Sequence, residues 1–140
     1  MQEKEEMKTL LPYFTIQGRT EEALAFYKDC FKGEVLFLQR FSETPFKVSE
    51  DFKNKIAHAE FKAENIHFFA SDGFDSETYT NGNIVGLSVS FDNPEEHLEI
   101  AEKLKIGGEE VFDPNEIDTG DKMRIINDTY GIQWHLYVNS

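Results

Sequence analysis

Gln133, His135 and Tyr137 recur at every second position, between Trp134, Leu136 and Val138. Alternation at period two places the polar trio on one face of a strand and the apolar trio on the other. His135 can then act as a base or as a hydrogen-bond donor to a small molecule. The competing reading is an ordinary polar residue on a half-wet sheet face. His58 and Glu60 alternate in the same way with Ala57, Ala59 and Phe61. A His–Glu pair can fix a tautomer or bind a metal; a hydrogen-bonded pair at a dimer contact or on a rim is the favoured reading. His67 falls on the neighbouring strand. A His58–Glu60–His67 cluster is therefore conceivable, although its spacing matches no known ligand motif. Arg124, near Asp128, carries a planar fork suited to a carboxylate or phosphonate, with a surface ion pair as the simpler alternative.

Other reactive residue types have quieter readings. Cys30 is the only cysteine, so no intrachain disulfide forms. It shares a helical stripe with Ala23, Phe26 and Tyr27, where a buried, unreactive thiol is expected. Tyr13, Phe14 and Trp134 are expected in the core, and His97 on the exposed side of an amphipathic helix. No Ser-His-Asp order, phosphate-binding glycine loop or Cys-His zinc motif is present.

The elements that must position these residues occur twice. With the chain set against itself about half its length on, Glu21 and Glu22 fall on Glu95 and Glu96, Leu24 on Leu98 and Gly33 on Gly107. One supersecondary unit is used twice. The first unit opens with a strand over Leu10–Ile16. A turn follows, then a helix N-capped by Thr20 and ended by Gly33 in the left-handed conformation. A strand runs over Glu34–Phe41, and Ser42–Lys55 is polar, either a loop over a cleft or a short helix near Ser49–Phe52. A hairpin of Ile56–Lys62 and Asn65–Ser71 closes the unit. Ser71–Asn83, rich in turn formers, links it to the second. That unit opens with Ile84–Phe91. Asn93-Pro94-Glu95-Glu96 then starts a helix with a cap, a proline and acid. Leu98, Ala101 and Leu104 form the expected buried stripe, and Gly107-Gly108 stops the helix. Glu110–Phe112 is a strand, Asp113–Asp121 a polar loop, and Met123–Asn127 with Ile132–Val138 the last hairpin. Aligning the two closing hairpins puts Ile56 on Met123 and Phe68 on His135. Each unit is β-α-β-β-β. The pattern predicts the α+β class, with helices on one face of a curved, mainly antiparallel eight-stranded sheet. Residues 1–9 form a polar leader and 10–140 a single domain made of modules 10–72 and 84–139.

Composition excludes several partners. A net charge of −13 and a pI near 4.6 leave no basic footprint for nucleic acid and disfavour an anionic membrane surface. No apolar stretch is long enough to span a bilayer and the N-terminus carries no apolar signal core, so a cytoplasmic location is expected.

The order of these pieces resembles the vicinal oxygen chelate superfamily, which includes glyoxalase I, fosfomycin and bleomycin resistance proteins and extradiol dioxygenases, and within it the PhnB-like branch. The residues that carry the likeness are Leu11-Pro12-Tyr13-Phe14, Glu22 to Tyr27 with Phe31 to Val35, Ile56 to Phe61, Ser71-Asp72, Gly107-Gly108 and Asp128 to Trp134. The resemblance implies the glyoxalase/bleomycin resistance fold and, since relatives often pair, a homodimer whose clefts are completed by two subunits. It also implies a divalent metal held by one side chain from the first and last strand of each unit. Those positions transfer to Pro12, Phe68, Gly86 and His135, of which only His135 can ligate. A shift of one residue would exchange Phe68 for His67. No cofactor is therefore expected, and a metal is disfavoured. PhnB-like proteins also carry a tryptophan before the last hairpin, and Asn115–Asp121 has none. Two functions follow. One is a metal-free protein that binds a small molecule in a dimer cleft, through His135, Gln133, Tyr137, Arg124, His58 and Glu60. The other is a metal-dependent glyoxalase- or dioxygenase-type enzyme, with His135 as the candidate catalytic residue and two or more further donor side chains converging on it. The likeness carries no implication of phosphonate chemistry or methyl transfer.

Overall fold

The computed structural model describes residues 7–82, 84–112 and 123–139. Among them the chain forms two modules of the same order. The first runs β1 (Tyr13–Thr15), α1 (Thr20–Phe31), β2 (Glu34–Arg40), β3 (Ile56–Ala63) and β4 (Ile66–Ser71). The second runs β5 (Leu87–Phe91), α2 (Pro94–Leu104), β6 (Glu109–Phe112), β7 (Met123–Asn127) and β8 (Gln133–Val138). The architecture is α+β. The strands divide into two four-stranded sheets, ordered β1-β4-β3-β2 and β5-β8-β7-β6. Each sheet holds one parallel pair, β1 with β4 or β5 with β8, and the other pairs are antiparallel. No helix among the described residues is long and apolar enough to cross a membrane.

One apolar cluster serves both modules. Phe14, Tyr27, Phe31, Phe61 and Phe68 of the first join Phe91, Leu104, Ile126, Trp134 and Leu136 of the second. Trp134 lies 5.2 Å from Phe31 and 5.7 Å from Tyr27, ring centre to ring centre. Asp128 ties the modules together by hydrogen bonds. Its Oδ2 accepts from the Tyr27 hydroxyl at 2.5 Å and from Trp134 Nε1 at 2.9 Å. Its Oδ1 accepts from the backbone N–H groups of Tyr130 and Ile132.

Several local expectations change. Thr20 is the first residue of α1 rather than its cap, and its hydroxyl donates to the Ile16 carbonyl. The capping acceptor comes from another element: buried Asp72 takes the Thr20 N–H on Oδ1 and the Ile56 N–H on Oδ2. A carboxylate there also meets the positive end of the helix. Lys32, not Gly33, takes the left-handed conformation after α1, at φ 56°. Gly33 answers to a different constraint, because a Cβ would come within 2.5 Å of Phe61 and 2.8 Å of the Lys62 carbonyl oxygen. Asn93 caps α2 as expected, accepting from the N–H groups of Glu95 and Glu96. The buried face of α2, however, is His97, Ile100, Ala101 and Leu104, and Leu98 is exposed. His97 is 3.0 Å from the Leu136 carbonyl oxygen through Nε2 and packs on Phe91, partners that make a buried imidazole tolerable. The opening strands are shorter than the apolar runs, and Leu10, Ile84 and Val85 lie exposed outside them.

Of the two readings for Ser42–Lys55, a short turn of helix is present. Two 3₁₀ turns, Phe41–Glu43 and Glu50–Phe52, flank a segment folded on its own aromatic cluster of Phe41, Phe46, Phe52 and Phe74. Cys30 is buried, and burial pushes its thiol up to about 12, which leaves little thiolate at neutral pH. The expected loop over Asp113–Asp121 lies outside the described residues, as does the stretch without tryptophan.

Candidate functional site

Each sheet has one face against the helices and one open face. On the first sheet, burial of Phe14, Phe61, Phe68 and Ala70 fixes the core side. Period two then turns Tyr13, His58, Glu60, His67 and Phe69 to the open side. Tyr13 was expected in the core, but it is 51% exposed and lies across the sheet from buried Phe14. His67 Nε2 is 2.6 Å from Glu60 Oε2, a pair with both side chains roughly three-quarters buried. The Tyr13 hydroxyl lies 3.4 Å from His58 Nδ1. Phe69 separates the two histidines, 5.0 Å from His58 and 6.1 Å from His67 by ring centres. The three-residue cluster of His58, Glu60 and His67 thus divides into a Glu60–His67 pair and a Tyr13–His58 contact, with an aromatic ring between. Tyr13 and Phe69 are members that the sequence reading left out. The signal for Tyr13 was present in its alternation with Pro12 and Phe14.

On the second sheet, Gln133, His135 and Tyr137 share the open face while Trp134 and Leu136 are buried, as the alternation predicts. His135 Nε2 is 3.0 Å from Gln133 Oε1, and the Gln133 amide donates to Asn127 Oδ1. The ring lies against Gly86, where a Cβ would come within 2.5 Å of His135 Nε2. Gly86→Ala is expected to leave the protein folded at a cost of about 1 kcal/mol while displacing the imidazole. The check is NMR: His135 ring signals should shift while the core amides stay. Unmoved ring signals would show that the ring does not rest on residue 86.

The ladders correct the equivalence of Phe68 with His135. Phe61 faces Phe68 and Ile126 faces Trp134, and all four are buried. Trp134 is therefore the counterpart of Phe68, and His135 that of Phe69. A slip of one residue had exchanged the two faces. On the first strand the open-face residue is Tyr13 rather than Pro12, and on the fifth it is Ser88, directly beside His135. The superfamily metal positions thus fall on Tyr13, Phe69, Ser88 or Gly86, and His135. They supply one imidazole, whose Nε2 already meets Gln133, whereas such sites need about three protein ligands. These residues do not fit the metal. Among the described residues no three His, Cys, Asp or Glu side chains converge as a metal site elsewhere.

Arg124 does not join this group. It shares the helix-facing side of β7 with Ile126, opposite Leu136. Its guanidinium grips Glu110 twice, at 2.6 and 2.7 Å, and Glu102 at 3.0 Å. Hydrogen bonding to Glu110 outweighs the cost of burial and holds it firmly protonated. The hydrogen bond from Arg124 to Glu102 lowers the Glu102 carboxyl below its ordinary range. No hydrogen bond, ion pair or ring contact among the described residues links the Glu60–His67 side with the His135 side.

Between the sheets lies a cavity of about 610 Å³. It is lined by Leu11, Pro12, Phe68 and His67 on one side, and by Ser88, Val89 and Trp134 on the other. His67, Ser88 and Ser90 belong both to its lining and to the open faces, where Ser88 pairs with His135 and Ser90 with Tyr137.

The family model described as 3-demethylubiquinone-9 3-methyltransferase matches residues 6–137. No curated protein matches the chain. Among solved structures, one described as a putative 3-demethylubiquinone-9 3-methyltransferase, PhnB protein, from Bacillus cereus is 23% identical, at a TM-score of 0.77. The alignment covers 94% of this chain and all 100% of that one. A Pseudomonas aeruginosa protein has a TM-score of 0.81 at 21% identity, over 95% of this chain and 98% of its own. The fosfomycin resistance protein FosX from Listeria monocytogenes, described in complex with Mn(II) and sulfate, has a TM-score of 0.63 at 13% identity, over 96% of this chain and 95% of its own. With paired β-α-β-β-β modules and a family match across nearly its whole length, the chain belongs to the 3-demethylubiquinone-9 3-methyltransferase family, the PhnB-like branch of the vicinal oxygen chelate superfamily.

Proposed function

We propose that the protein binds a small molecule, without the usual superfamily metal, in clefts that two copies complete. The observation that carries this reading is the pair of uncovered sheet faces. One offers Tyr13, His58, Phe69 and the Glu60–His67 pair; the other offers Gln133, His135 and Tyr137. Ligand sites combine aromatic surface with a few placed polar groups, and each face supplies half of that description. Tyr13, Phe37 and Tyr137 are more than a third exposed, which favours cover by a second copy. A two-fold dimer that sets the first sheet of one copy against the second sheet of its partner brings the two halves together. Family membership fixes the fold and not the reaction.

The test is elemental analysis of purified protein before and after loading with nickel, zinc, manganese or iron(II), on wild type and His135→Ala. Light scattering and a thermal-shift screen of small molecules accompany it. The expected result is a dimer, no stoichiometric metal, and hits whose stabilisation falls in His135→Ala. Stoichiometric metal lost in the variant overturns the metal-free reading in favour of a metal-dependent enzyme.

A further inference from the structure

We infer that the open face of the first sheet is a stacking platform for a planar aromatic cation of the aryl amidinium kind, with its charge on N–H groups. The inference rests on the reading of the open faces as ligand surfaces and names what they take. His58 is the hub of the platform. Its ring centre lies 5.0 Å from Phe69, 5.8 Å from Tyr13 and 6.0 Å from Phe37, at tilts of 36°, 32° and 51°. Tyr13 and Phe37 are 51% and 48% exposed, which leaves ring surface for a guest. A flat guest laid on such rings gains apolar burial, and a positive one also gains from their negative faces.

Glu60 supplies the charge. Register sets it directly opposite both Phe37 and Phe69, on the same face. His67 meets Oε2, and Oε1 has no hydrogen-bond partner among the described residues. No buried side-chain nitrogen or oxygen among those residues lacks a partner, so Oε1 is open to solvent. An ionised carboxylate only accepts, and a charged N–H donor makes the stronger bond to it.

Nothing on either sheet favours an anion. Of the lysines and arginines on the strands of the first, Arg40 is taken up by Glu21 of α1, and Lys62 stands opposite Glu34. On the strands of the second there is only Arg124, turned to the helices and gripped by Glu110. The net charge of −13 draws cations from solution.

The test compares 2-naphthamidine, 2-naphthamide and 2-naphthoate, guests of one shape that are positive, neutral and negative. Affinity is read by calorimetry, and location by NMR of the His58 ring. Wild type should bind the amidinium about tenfold tighter than the amide, the margin of a charged over a neutral hydrogen bond, and the naphthoate most weakly. His58 ring signals should move with the amidinium. Glu60→Gln keeps the shape and removes the charge, so the preference should vanish while amide affinity holds. Phe37→Leu should weaken amidinium and amide alike, by about threefold to tenfold. Equal binding of amidinium and amide by wild type overturns the proposal. So does a preference that survives Glu60→Gln, or binding that leaves the His58 signals in place. A dimer whose screening hits depend on His135, while the amidinium fails to bind, sinks the cation and leaves the cleft standing. A monomer that binds the amidinium through Glu60 keeps the platform and sinks the two-copy cleft.

Discussion

Asp128→Ala is expected to destabilise the protein by about 4 kcal/mol, the range for removing a buried, fully bonded carboxylate. For a domain of this size that lowers the melting temperature by about 10–15 °C. The carboxylate is 5% exposed and accepts four hydrogen bonds, from Tyr27, Trp134 and two backbone N–H groups. Every partner is a donor, so the site needs a group that only accepts. Asparagine, similar in shape, would turn its NH₂ either to two backbone N–H groups or to Trp134 Nε1–H and a Tyr27 hydroxyl that can accept, so at least one buried donor is stranded whichever way it flips. Asp128→Asn should therefore cost less than alanine but still about 2 kcal/mol. Tyr27→Phe removes one donor and leaves no buried donor orphaned, and should cost only about 1 kcal/mol from the hydrogen bond. Urea and thermal unfolding of the three variants give the comparison. An asparagine variant within about 1 kcal/mol of wild type would show that the four bonds do not act together.

This asymmetry also marks where sequence reasoning stops. The α+β class and the doubled module were legible because they rest on periodicity and punctuation: strand alternation, Asn93-Pro94 at a helix start, glycines at helix ends. Those are local properties of the chain. Asp72 and Asp128 act across the fold. One caps a helix that begins 52 residues earlier in the chain; the other joins Tyr27 to Trp134. No local pattern separates such aspartates from the turn residues they resemble. Faces were legible where alternation was unbroken, as at Gln133, His135 and Tyr137. They failed where a run was short, at Tyr13 beside a correctly buried Phe14, or where an alignment across hairpins had to hold to a single residue, at Phe68 and His135. The error on α2 has the same origin. Both Leu98 and His97 fit an amphipathic helix, and hydropathy favours burying the leucine. The buried face turned instead toward Phe91 and the Leu136 carbonyl, where an imidazole finds a partner.

The second large effect concerns Arg124, whose type suggested ligand binding. Arg124→Met is expected to cost about 3 kcal/mol at neutral pH, because breaking a buried pair strands its partner. Glu110 is the stranded group: its side chain is 11% exposed, and Arg124 holds both of its oxygens. Lys105 Nζ, 3.6 Å from Glu110, relieves part of the loss, which sets the estimate at the lower end. The cost should depend on pH in a definite direction. In the wild type, Arg124 lowers the folded Glu102 carboxyl, so that contribution is present above the ordinary carboxylate range and is lost as pH falls through the lowered value. The gap between the proteins therefore narrows as pH falls. Arg124→Met combined with Glu110→Gln should recover much of the stability at neutral pH, since no uncompensated charge remains. Small molecules that stabilise the wild type should stabilise the double variant equally, because Arg124 lies on the helix-facing side of β7, away from the open face. Measuring unfolding free energies from neutral to acid pH beside ligand-induced thermal shifts separates the two roles. A loss of affinity at unchanged stability would return Arg124 to the binding site; the ion-pair geometry predicts the reverse.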